Sequence, residues 1–105
     1  MNTTVSEKTV KKAVKKRLTE IGAYHHWPVQ TGYGTRTLDC IGCYKSLYFA
    51  VETKRPGEVP TLLQEVTSSQ IRAAGGLVFV VDTVEKARAL FSDRVQSDRH
   101  PFGAL

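Results

Sequence analysis

The chain has 105 residues, a length that fits one domain. A hydrophobic fraction of 41% alongside 24% charged residues is that of a soluble globular protein and argues against disorder. No apolar stretch approaches the roughly 20 residues a membrane-spanning helix needs, so no membrane partner is expected. The formal net charge of +5 favours a polyanionic partner, nucleic acid being the commonest, although a basic surface without function has the same signature.

The first predicted element is a helix from about Val5 to Ile21. Thr4 followed by Glu7 has capping-box spacing, and Gly22 supplies a stop. Val10, Val14, Leu18 and Ile21 recur at helical intervals and form its apolar face. Lys8, Lys11, Lys12, Lys15 and Lys16 fall on another face, within an arc of roughly 140° at about 100° per residue. That stripe suits either plain solvation or a track of phosphates. Glu7 lies on the apolar side, between Val14 and Leu18 on the wheel. It serves either the cap or the edge of a site.

A short strand is predicted over 23–28, then a glycine-marked loop, Thr31 to Arg36. Two strands follow, Thr37 to Tyr44 and Leu47 to Lys54, closed by Arg55-Pro56-Gly57. A second helix spans about Thr61 to Ala74 and ends at Gly75-Gly76. The apolar run Leu77 to Val81 reads as a buried strand. Asp82 with Glu85 could cap a third helix from Thr83 to about Phe91. The polar tail from about Ser92 has no assigned structure. The order is α-β-β-β-α-β-α, an α/β fold with a mixed central sheet flanked by helices. The crossover from Leu47 to Val81 is long enough to join parallel neighbours.

Chemistry concentrates on the two central strands. If Lys45-Ser46 is a two-residue turn, Tyr44 faces Leu47 and Asp39 lies opposite Glu52. Lys54, two residues on, points to the same side as Glu52. Two carboxylates facing each other repel unless something neutralises them. A divalent cation does so, and Mg²⁺ prefers such hard oxygen ligands. The other reading is a solvated charged strand, with Lys54 merely neutralising Glu52.

Several segments together resemble the VRR-Nuc family of PD-(D/E)xK nucleases. They are Thr31 to Gly34, Leu38-Asp39-Cys40-Ile41-Gly42, Phe49 to Gly57 with Glu52-Thr53-Lys54 at its centre, Thr61 to Gln64, and Ala73 to Gly76. The resemblance implies a restriction-endonuclease-like core in a single domain over 1–105. It implies Asp39 and Glu52 as metal ligands, with the Thr53 carbonyl as a third, and Lys54 as the catalytic lysine. Gln64 would steady the site from the start of the second helix, and Glu7 would match a helix-one acid. Leu38 departs from the family's usual proline. Mg²⁺ is the implied cofactor, with Mn²⁺ able to substitute. The implied activity is structure-selective DNA endonuclease cleavage, of branched or nicked DNA, by a homodimer of the free-standing phage or bacterial type.

The remaining DNA contacts expected are Tyr33 and Arg36 in the glycine loop, Arg55 beside the catalytic lysine, and the five helix lysines. The alternatives are a DNA-binding module without catalysis and a nuclease subunit of a larger assembly that uses a protein partner for targeting. Cys40 and Cys43 form a CxxC, but residues three apart on a strand diverge, so packing rather than zinc is expected. His25 and His26 diverge for the same reason, and Trp27 reads as core or interface. The start of the chain lacks the apolar core of a secretory signal. A cytoplasmic protein with reduced cysteines, in a bacterial or phage-infected cell, is therefore expected.

Overall fold

The computed structural model describes residues 5–29 and 37–97, with side chains described to 94. Its elements are α1 (Glu7–Glu20), β1 (Tyr24–His26), β2 (Cys40–Tyr44), β3 (Leu47–Thr53), α2 (Leu62–Ala73), β4 (Leu77–Val81), α3 (Val84–Arg88) and a short α4 (Ser92–Ser97). The order matches the expected one, with α4 added from the tail that had none. The glycine loop, with Tyr33 and Arg36, lies outside the described residues.

The start of α1 differs from the reading. Ser6 is the N-cap, and its side chain accepts from the Thr9 backbone N–H at 3.2 Å. Glu7 is thus the first helical residue rather than the closing member of a capping box, and its carboxylate is left for another role. Thr4 lies outside the described residues. Val10, Val14 and Leu18 are fully buried, as their spacing predicts.

The sheet order is β1-β2-β3-β4, with β1–β2 and β2–β3 antiparallel and β3–β4 parallel. Lys45 (φ 50°) and Ser46 (φ 69°) both take left-handed backbone angles. Two such residues form the turn whose twist matches a two-residue hairpin. The pairing runs from Tyr44↔Leu47 to Cys40↔Val51, the expected register. β2 is shorter than predicted, because 37–39 are outside the ladder.

Alternation along β3 divides the molecule into two layers. Phe49, Val51 and Thr53 face α1 and α3, where they join Val10, Val14, Leu18, Val81, Ala87, Leu90 and Phe91 in the core. Ala50, Glu52 and Lys54 face the other way, on the side where α2 meets Glu52 through Gln64. Gly42 is required by close packing across the β1–β2 pair. A β-carbon there would lie 2.1 Å from the Tyr24 carbonyl oxygen and 2.7 Å from the Phe49 ring.

Two further expectations are corrected. β4 is an edge strand, and four of its five residues are half-buried, because only one side of it has a neighbouring strand. α3 is capped by Thr83, which accepts from the Lys86 N–H at 3.0 Å. Asp82 instead accepts from the Gly57 N–H and pairs with Lys86, which holds its carboxyl below its ordinary pKa, mainly through the lysine hydrogen bond. The helix ends at Arg88, short of the expected Phe91, and Phe91 itself takes a left-handed angle (φ 59°) that ordinarily disfavours a large side chain. Burial of the ring against Tyr44, Phe49 and Phe79, at centroid distances of 4.9, 5.2 and 5.1 Å, holds it there. Phe91→Ala should therefore cost about 3 kcal/mol or more, read from urea unfolding.

Candidate active site

Asp39, Glu52 and Gln64 line one cleft of about 110 Å³ with Thr37, Leu38, Leu63 and Thr67. At roughly 30 Å³ per water, that is room for a cation with a few waters. Asp39 immediately precedes β2 and sits opposite Glu52 by continuation of the hairpin register.

The two acids do not simply confront each other. Glu52 accepts from the Asp39 backbone N–H at 3.2 Å through Oε1 and from the Gln64 amide through Oε2. The Asp39 carboxylate, freed from the ladder, turns to Thr53. Its Oδ2 accepts from the Thr53 N–H at 3.0 Å and from the Thr53 hydroxyl at 2.8 Å. Each carboxylate is thus held by two donors, which offsets part of the repulsion a plain sheet would suffer. Lys54, almost fully buried, brings its Nζ to 3.7 Å from Glu52 Oε2.

Gln64 contributes both ends of its amide. It occupies the third position of α2, where its Oε1 accepts from the Thr61 N–H at 2.8 Å while Thr61 Oγ1 accepts from the Gln64 N–H. This is a capping box, and the same side chain donates into the site. Glu7 Oε2 lies 3.5 Å from Thr53 Oγ1. The start of α1 therefore reaches the edge of the site through Thr53, and Glu7 is not spent on a cap.

Of the predicted residues, the structure brings together Asp39, Glu52, Thr53, Lys54, Gln64 and Glu7. The Thr53 hydroxyl had no assigned role in the sequence reading. Its signal was a polar residue at the inward position of β3, in register with Phe49 and Val51, where a hydroxyl needs a partner. The lysines lie elsewhere along α1. The Lys15 and Lys11 ammonium groups sit 5.0 and 5.9 Å from the centre of the Trp27 ring, so two of the five rest on an aromatic face. Trp27 itself packs against the core and donates from Nε1 to His25 Nδ1 at 2.9 Å. Burial, then the Lys15 charge, lowers the His25 pKa. Arg55 is exposed and 3.8 Å from Glu58. Cys40 is buried and Cys43 exposed, the divergence expected of a strand. Burial pushes the Cys40 thiol up to about 12, so it is inert.

Burial raises the Glu52 pKa from 4.5 to about 7, with the Asp39 charge adding to it, while the Asp39 N–H and Lys54 oppose. Among the described residues, no group of three or more His, Cys, Asp or Glu side chains is arranged to hold a metal ion. A cation here would rest on two carboxylates, completed by backbone and water oxygens. That is the donor set Mg²⁺ takes, since it retains several waters. Among the described residues, no helix is long and apolar enough to cross a membrane. Comparison with protein-family models and with curated proteins gives no match.

The raised Glu52 pKa fixes a pH dependence. Between 4.5 and about 7 the folded chain holds a proton that the unfolded chain has released. Stability without metal should therefore fall as pH rises through that window, by something on the order of 3 kcal/mol, and level off above it. Glu52→Gln should flatten the profile, as measured by urea unfolding in chelator across pH.

Proposed function

We propose that the chain is a divalent-metal-dependent DNA endonuclease that hydrolyses phosphodiester bonds. The observation that carries this reading is one cleft in which Asp39 and Glu52, each fixed by two donors, stand beside a buried lysine. A purely structural role would not call for two acids and a lysine to be held together with so little solvent, because buried charge is costly unless it is used. The resemblance to VRR-Nuc nucleases assigns the same residues.

Asp39 and Glu52 would hold Mg²⁺ or Mn²⁺, with the Thr53 carbonyl as a further oxygen. The ion supplies Lewis acidity to a phosphoryl oxygen and acidifies a bound water. The protein's own contribution is positional. The Thr53 hydroxyl and N–H keep the Asp39 carboxylate aimed, and Gln64 fixes the Glu52 rotamer. Lys54 places a cation beside Glu52, where it can orient the attacking water and offset charge that develops on the phosphate. Glu7 stands on the far side of Thr53, its Oε2 3.5 Å from the hydroxyl that holds Asp39. The lysines of α1, a helix that begins at Glu7, supply cationic surface for the backbone of branched or nicked DNA. A homodimer would provide two such centres for two strands. The basic surface also suits a binding module without catalysis, but such a module has no use for the buried acids and lysine.

With Mg²⁺, the purified chain should nick or cleave labelled branched DNA. Lys54→Ala and Asp39→Ala should each lower that activity by at least about a hundredfold with circular dichroism unchanged. Full activity in both variants would remove the assignment.

Thr53 offers a separate check on the orienting contacts. Thr53→Val keeps the shape but deletes the donor, and should weaken Mn²⁺ binding by roughly 10–100-fold in calorimetry. Thr53→Ser should restore it.

A further inference from the structure

The outward face of α2 is the least satisfied surface of the described residues. Leu62 is 79% exposed, Leu63 60% and Val66 48%, with Val59 also exposed just before the helix. The packed side is formed by Gln64, Thr67, Ser68 and Ile71. Opposite it, Leu62, Val66, Ser69 and Ala73 are all exposed and follow one another at steps of four, three and four. That is the spacing of a two-helix seam, in which alternate steps bring side chains onto a single stripe. Large residues occupy its first half and small ones its second.

Charge fixes the direction in which a partner helix would run. Glu65 and Arg72 flank the stripe on the same edge, seven residues apart, and both are exposed. Among the described residues, neither forms an ion pair within its own chain. In a parallel copy the same edge of each helix falls on opposite sides of the seam, so Glu65 would meet Gln70, Arg72 would find no acid, and Leu62 would stack on Leu62. An antiparallel copy about a two-fold axis stacks Leu62 on Ala73 of the second copy and Val66 on Ser69. The same register brings Glu65 against Arg72 of the second copy, twice by symmetry. Large side chains then meet small ones at every layer.

We propose that α2 is the self-association surface of this chain, pairing antiparallel with α2 of a second copy through Leu62, Val66, Ser69 and Ala73. Val59 and Leu63 widen the apolar contact. An aliphatic stripe with one acid and one base complements itself, whereas a nucleic acid would find no cationic row there. The pairing does not depend on the nuclease reading. It adds that the two clefts, each tied to its α2 by Gln64, are set at a fixed distance from each other.

The test is sedimentation equilibrium of the full chain up to roughly 100 µM, where a small interface of this kind should give a dimer with affinity in about the micromolar range. Val66→Glu, at an exposed position, should leave circular dichroism unchanged and yield only monomer. Glu65→Arg and Arg72→Glu should each weaken the dimer about tenfold, since each change acts twice. Combining them should restore the wild-type constant. A wild-type chain that stays monomeric overturns the proposal, as does a dimer indifferent to Val66→Glu or a double swap that fails to recover. Loss of DNA retention in Val66→Glu without a change in mass would assign the stripe to substrate and equally overturn it.

Discussion

The hairpin turn at Lys45 and Ser46 is the constraint on which the site depends. Two successive left-handed residues admit one tight connection between β2 and β3, and that connection fixes which residues face each other. A slip of one residue would send Glu52 and Lys54 into the layer occupied by Phe49 and Val51. It would also carry Thr53 out of the core and away from Asp39. Neither residue of the turn is a glycine. The strain is small and is outweighed by burial on the Phe49–Val51 side, where α1 and the aromatic group around Phe91 close the layer. The core and the cleft are therefore set by one decision about register.

The cleft handles its charge by a division between backbone and side chain. Glu52 leans on the Asp39 N–H, and Asp39 on the N–H and hydroxyl of Thr53. Each acid thus depends on the strand that bears the other. The result still leaves Glu52 with a raised pKa, because burial outweighs the donors. A cation would reverse that balance by favouring the ionised form, so the same strain that weakens the empty fold would strengthen its hold on a metal.

Much of this was legible in the sequence because period and punctuation agreed. The element order, the hairpin register and the nearness of Asp39 to Glu52 followed from alternation and from a two-residue gap between apolar runs. The errors lay at ends, where one hydroxyl is hard to tell from the next. Ser6 caps α1, and Thr83 rather than Asp82 caps α3. β4 looked buried from its composition, but composition does not say which strand will be last in the sheet. The left-handed backbone at Phe91, three residues past the end of α3, depends on three rings from β2, β3 and β4 meeting it, a contact no local window contains. The turn of the Asp39 carboxylate toward Thr53 is also tertiary in origin, arising where the ladder stops one residue short.

Gln64 belongs to two systems at once, the opening turn of α2 and the floor of the cleft. Helix grammar treats glutamate and glutamine as near equals at that position, since either can accept from the capping residue's N–H. The cleft does not. A carboxylate there would set a second negative charge against Glu52 and withdraw the N–H that the amide donates to it. Even the amide admits a single orientation, because rotating it by half a turn would point a donor at the Thr61 N–H and an acceptor at Glu52. A position that looks interchangeable by local rules is thereby reduced to one residue in one rotamer.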